Sequence, residues 1–143
     1  MATVTSNPIF LNDFKRLWQD VGAGVLEATQ RFGESGWYIL GENVNQFERQ
    51  LASYWQLDHA TGVASGLDAI EIGLRALGLQ PGDKVLTTPL SAFATTLAIL
   101  RAGGEPVFID VDENGLLDLE QVKTILEKEN IQFMLPVHLY GHA

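Results

Sequence analysis

The chain contains no cysteine. Disulfides, thiolate nucleophiles and zinc–thiolate sites are thereby excluded. Basic residues are scarce: nine Lys and Arg stand against eighteen Asp and Glu, a formal net charge of −9. A nucleic-acid or anionic-membrane surface needs clustered Lys and Arg, so neither is expected. No apolar run approaches the ~20 residues of a membrane-spanning helix. The opening "MATVTSNPIF" lacks the charged-then-apolar order of a secretion signal. His59 and His142 show no metal-ligand spacing, and no metal site is expected. These exclusions leave a cytoplasmic enzyme or binding domain.

What remains is enough for one ordinary domain. The 143 residues are 46% hydrophobic and 19% charged, the balance of a folded globular chain. In "NDFKRLWQDVGAGVLEATQRF", Phe14, Trp18, Val21, Val25, Ala28 and Phe32 recur at three- and four-residue steps. This spacing predicts a helix with Asn12 as N-cap and a bend or break at Gly22 and Gly24. The glycine-punctuated loop "GESGWYILGEN" follows. A second helix is expected over "NVNQFERQLASYWQL", with Val44, Phe47, Leu51 and Trp55 on one stripe.

From residue 60 the pattern alternates. "TGVAS", "KVLTT", "PVFIDV" and "IQFMLPV" read as strands, and Asp68–Leu77, Ser91–Ala102 and Leu117–Lys128 read as helices. Four strands alternating with three helices imply a parallel sheet with right-handed crossovers. The break between the helical lead-in (1–58) and the α/β part (59–143) falls near Leu57 to Ala60.

Ligands of an open parallel sheet bind beyond the carboxyl ends of its strands. "ASGLD" lies there, between the first strand and its crossover helix. Unpaired N–H groups at a helix N-terminus form an anion site, Gly66 allows close approach, and Ser65 adds a hydroxyl. The same turn can also serve only to connect two elements, with Asp68 a favourable first-turn acid. It is neither a P-loop nor a GxGxxG turn. Phe93 opens a crossover helix and can either stack on a ring or pack in the core. His138, at the end of the last strand, can be a site residue or a packing residue. Asp110 and Asp112 read as solvated turn acids.

Three stretches together carry a more specific signal: "SGWYILGENVNQFERQLASYW", "VASGLDAIEIGLRALGLQPGDKVLTTPLSAFATTLAILRAGGEPVFIDVDENG" and "LPVHLYGHA". In this order they resemble the opening part of the DegT/DnrJ/StrS aminotransferases, pyridoxal-phosphate enzymes that aminate nucleotide-linked keto-sugars. The likeness runs from Phe10 to Ala143. It implies the α/β large domain of an aspartate-aminotransferase-like fold, mainly parallel, after a helical lead-in. It also implies pyridoxal 5'-phosphate as cofactor, a nucleotide-linked keto-sugar and an amino-acid donor (glutamate) as substrates, and a homodimer.

By that resemblance, Ser65, Gly66 and Leu67 cradle the cofactor phosphate. The family has Thr where this chain has Leu67, so a hydroxyl contact is lost while the backbone contact remains. The aromatic position that stacks on the ring in the family falls at Ala92, so either the adjacent Phe93 takes over the stacking or the ring is less well held here. His138 and Tyr140 match the "HLYG" strand end beside the cofactor. Trp37, Tyr38 and Ile39 match a substrate or dimer-interface loop, Gly36 to Gly41.

One group is missing. The lysine that holds this cofactor lies downstream of "HLYG" in the family, and Lys15, Lys84, Lys123 and Lys128 all read as surface residues. The resemblance therefore implies the N-terminal piece of a longer enzyme, without turnover by itself. A non-catalytic phosphate-binding module pairing through its open sheet edge is the alternative, and an unrelated flavodoxin-like domain is the third reading.

Overall fold

The computed structural model describes residues 9–143. The chain divides into two compact units, with the division between Gly62 and Val63.

The first unit holds two helices. Helix α1 spans Phe14–Ser35 without interruption. Its N-cap is Asp13, not Asn12: the Asp13 carboxylate accepts from the Arg16 N–H at 3.0 Å. The expected break at Gly22 and Gly24 does not occur. A Cβ at Gly22 would stand 2.8 Å from Trp18 Cε2, so this glycine makes room for an indole one turn earlier. A helical cost of about 1 kcal/mol is too small to break a helix of 22 residues. Gly36 ends the helix in the left-handed conformation, at φ 63°. Helix α2 spans Glu42–Trp55.

The second unit is a three-layer α/β fold. Its elements run α3 (Gly66–Ala76), β1 (Lys84–Thr87), α4 (Phe93–Ala102), β2 (Glu105–Phe108), α5 (Leu119–Lys128) and β3 (Phe133–Met134). The strands form one parallel sheet in the order β2-β1-β3. Side chains of β1 alternate between the two sheet faces. Val85 packs with Leu74, Leu79, Ile99 and Ala102 of the α3/α4 layer, and Leu86 packs with Ile109, Leu117 and Val122 of the α5 layer. From β1 the chain steps to one side through α4, then crosses back over β1 through α5. Two right-handed crossovers in opposite directions put their helices on opposite faces, and the two cores follow from that.

"TGVAS" is not a strand. Its residues are exposed, and Ser65 is extended at φ −158° and ψ 166°. An extended segment becomes a strand only when a neighbouring backbone pairs with it in a ladder; among the described residues none does, and the Gly62 N–H donates instead to the Glu48 carboxylate at 2.6 Å. The sheet therefore has three strands among the described residues where the sequence implied four. Asp112 and Asp118 brace the β2–α5 connection. Asp112 Oδ1 accepts from the N–H groups of Asn114 and Leu116, at 2.8 and 3.0 Å. Asp118 caps α5 through the N–H groups of Glu120 and Gln121.

Candidate functional site

Helices α3, α4 and α5 each begin beside the carboxyl ends of the strands, because each runs back across the sheet. The turn before α3 is built by its own sequence. Ser65 is the N-cap: its Oγ accepts from the Asp68 N–H at 3.2 Å and donates to Asp68 Oδ2 at 2.8 Å. The first intrahelical bond is Ala69 N–H to the Ser65 carbonyl. The N–H groups of Gly66 and Leu67 therefore have no acceptor among the described residues. A Cβ built on Gly66 meets nothing within 4 Å, so the space beside these donors is open. Ser65, Gly66 and Leu67 thus form one turn at the positive end of a helix, with two free amides beside a hydroxyl that is engaged by Asp68.

Phe93 is the first residue of α4, and 74% of it is exposed among the described residues. Ala92, its N-cap, offers no side-chain cap. Nearby hydroxyls are engaged within the chain. Thr87 donates to the Leu135 carbonyl at 2.8 Å, Thr88 accepts from the Leu90 N–H, and Ser91 and Thr95 share a 2.6 Å bond. His138 is exposed just beyond β3 and leads into a 3-10 turn at Leu139–Gly141, with Tyr140 at φ 60°. Met134, Pro136, Val137 and His138 line one side of a cavity of about 210 Å3 whose other side is Leu116, Leu117 and Leu119.

In the first unit, Trp37, Tyr38 and Ile39 form a locally braced hook. The Trp37 indole N–H donates to the Ile39 carbonyl at 2.7 Å. Tyr38 meets Phe32 edge-on, with ring centroids 4.7 Å apart. All three side chains remain well exposed.

No lysine stands at the strand carboxyl ends. Lys84 opens β1, at the opposite end of the sheet, where Glu129 holds its ammonium at 2.9 Å. That hydrogen bond raises the Lys84 pKa. Lys123 pairs with Glu120 on exposed α5, and Lys15 and Lys128 are exposed on α1 and α5. The residues present therefore fit the phosphate end of pyridoxal phosphate and do not supply the amine that would hold its reactive end. Among the described residues, no group of three His, Asp or Glu side chains can hold a metal ion, and no helix is long and apolar enough to cross a membrane.

One residue of the turn escaped the sequence reading. Arg101 of α4 lies 3.9 Å from Asp68 Oδ1. No spacing rule connects residues on two different helices, so only the packing of α3 on α4 reveals it.

Residues 19–143 match the DegT/DnrJ/EryC1/StrS aminotransferase family. A dTDP-3-amino-3,4,6-trideoxy-alpha-D-glucose transaminase of Streptomyces venezuelae is 37% identical over 131 residues, which is 91% of this chain and 34% of that protein. Among solved structures, S. venezuelae DesV in complex with a ketimine intermediate superposes with a TM-score of 0.84 at 35% identity. The overlap covers 96% of this chain and 37% of that one. The ntda protein from Bacillus subtilis, with bound cofactor PMP, gives a TM-score of 0.77 at 35% identity over 85% of this chain and 28% of that one. The chain spans about a third of the length of these relatives. With three layers, a parallel sheet and this degree of likeness, the chain belongs to the DegT/DnrJ/EryC1/StrS aminotransferase family, whose members depend on pyridoxal phosphate.

Proposed function

We propose that these residues are the phosphate-binding portion of an aminotransferase acting on a nucleotide-linked keto-sugar, with glutamate as amino donor. The observation that carries this reading is the pair of unpartnered amides at Gly66 and Leu67 beside open space, on a turn the family resemblance assigns to the cofactor phosphate. Ser65, Gly66 and Leu67 would hold the phosphate. Phe93 and His138 would flank the rest of the group, and Trp37, Tyr38 and Ile39 would serve as a substrate or interface loop. When bound, pyridoxal phosphate supplies an electron sink and a carrier for the amino group.

The chain's own contribution is electrostatic and steric. Aligned amides and a hydroxyl fix a dianion without the mobility of a long cationic side chain. None of the four lysines lies at the strand carboxyl ends, so these residues by themselves bind without turning over. The working enzyme needs a lysine from beyond them and a second copy of the chain as homodimer partner.

The test uses pyridoxamine phosphate, which has no aldehyde and cannot label the surface lysines. Saturable calorimetric binding is expected, displaced by inorganic phosphate. With pyridoxal phosphate, glutamate and a dTDP-linked keto-sugar, the 143-residue chain should form no 2-oxoglutarate. Appreciable transamination would sink the division of labour proposed here, and no binding of pyridoxamine phosphate would sink the cradle.

A further inference from the structure

A continuous line of polar contacts runs from the Ser65 turn across to α4. Ser65 donates to Asp68 Oδ2 at 2.8 Å, and Asp68 Oδ1 faces Arg101 Nη1 at 3.9 Å. Arg101 Nε binds Glu71 Oε2 at 2.8 Å. The other Glu71 oxygen accepts from Arg75 Nε and Nη2, at 3.2 and 3.1 Å, and Arg75 reaches on to the Arg101 carbonyl. Arg101 sits in the last turn of α4, yet its side chain lies back toward the first turns of α3. The Glu71 side chain is only 15% exposed, so its charge is held in place between two guanidinium groups.

We propose that Arg101 is a positioning residue for the anion cradle, acting through Asp68. The inference rests on the cradle reading above. A serine hydroxyl has one proton to donate, and here Ser65 gives it to Asp68. A phosphate oxygen seated on the Gly66 and Leu67 amides competes for that proton. Once the hydroxyl turns to the anion, Asp68 loses a donor and stands as a bare carboxylate beside a dianion. Arg101 Nη1 can then close on the carboxylate, which satisfies it and offsets the negative charge that opposes the phosphate. The Ser65 cap is untouched, because its Oγ still accepts from the Asp68 N–H. Arg101 thus frees the hydroxyl for the anion without leaving an unpaired charge behind.

An arginine in the last turn of a helix also favours the helix dipole wherever it points, and a double-mutant cycle separates that role from this one. Pyridoxamine phosphate is titrated into the chain by calorimetry, with thermal unfolding measured on every variant. R101A should weaken binding about five- to twentyfold. R101K, which keeps a cation able to reach Asp68, should recover most of that loss. In the D68N background the same R101A change should cost less than twofold, because no carboxylate remains to be held. An R101A affinity within twofold of the parent, or an equal loss in the D68N background, overturns the proposal. If R101A unfolds, R101M, which keeps the aliphatic stem and removes the charge, takes its place in the same cycle with the same two thresholds. Absence of binding by the parent chain removes the cradle itself, an outcome distinct from an Arg101 that has no effect.

Discussion

Gly66 offers a clean separation of folding from binding. Its backbone is helical with no positive φ, and a Cβ there meets nothing within 4 Å. Neither conformation nor crowding within the chain requires glycine at this position. Gly66→Ala should therefore leave stability unchanged or raise it by up to about 1 kcal/mol, through the reduced freedom of the unfolded chain and the better helix former. For a unit of this size, 1 kcal/mol moves Tm by about 4–8 °C. Binding should respond in the opposite direction. A phosphate on the Gly66 and Leu67 amides makes charge-assisted hydrogen bonds, each worth about 1.5–3 kcal/mol. A branched side chain in that space displaces the anion from at least one of them. Gly66→Val should thus weaken pyridoxamine phosphate about ten- to hundredfold, since each 1.4 kcal/mol is tenfold. The assays are thermal unfolding by circular dichroism and calorimetric titration of the same preparations. A drop in Tm of several degrees for Gly66→Ala, or undiminished affinity for Gly66→Val, would refute the reasoning.

Gly104 should behave in the reverse way. Its Cβ would lie 3.1 Å from Leu79 Cδ1, 3.2 Å from Ile99 Cγ2 and 3.3 Å from the Asp83 carbonyl oxygen; Gly104→Ala should cost about 1–3 kcal/mol by overpacking, read as a lower denaturation midpoint. Leu86→Ala removes a fully buried side chain from the central strand and should cost about 2–5 kcal/mol, measured by urea unfolding. The Asp118 pKa is lowered chiefly by the Gln121 side chain, then by the Gln121 and Glu120 amides. A depressed pKa contributes stability above the unfolded carboxyl value, near 3.9, that is lost as pH falls through the folded value. Asp118→Asn should accordingly flatten the acid limb of a stability–pH curve, and an unchanged limb would contradict the cap. Lys84 has the opposite sign: Glu129 raises its pKa, so that contribution is present below the unfolded value near 10.4 and lost as pH rises through the folded one. Lys84→Met should flatten the alkaline limb.

Much of this protein was legible in the sequence because the signals are local. The three helices of the α/β part follow from periodicity with boundaries within two residues, while the Ser65 cap that starts α3 at Gly66 was not read from the sequence. The donor turn was readable too, because an N-cap and the amides it leaves free are fixed by a few adjacent residues. Tertiary structure decided what depends on partners distant in the chain. "TGVAS" has the composition of a strand, but strand formation needs a neighbouring backbone to pair with, and among the described residues the Gly62 N–H finds only the Glu48 side chain. Gly22 has the propensity of a breaker, about 1 kcal/mol worse than alanine, yet it lies inside an unbroken helix with the Trp18 indole against it. Val85 and Leu86, adjacent in sequence, enter opposite cores only because the chain crosses back over β1. Arg101 reaches Asp68 only because α4 packs against α3, and no one-dimensional spacing encodes a contact between two helix faces.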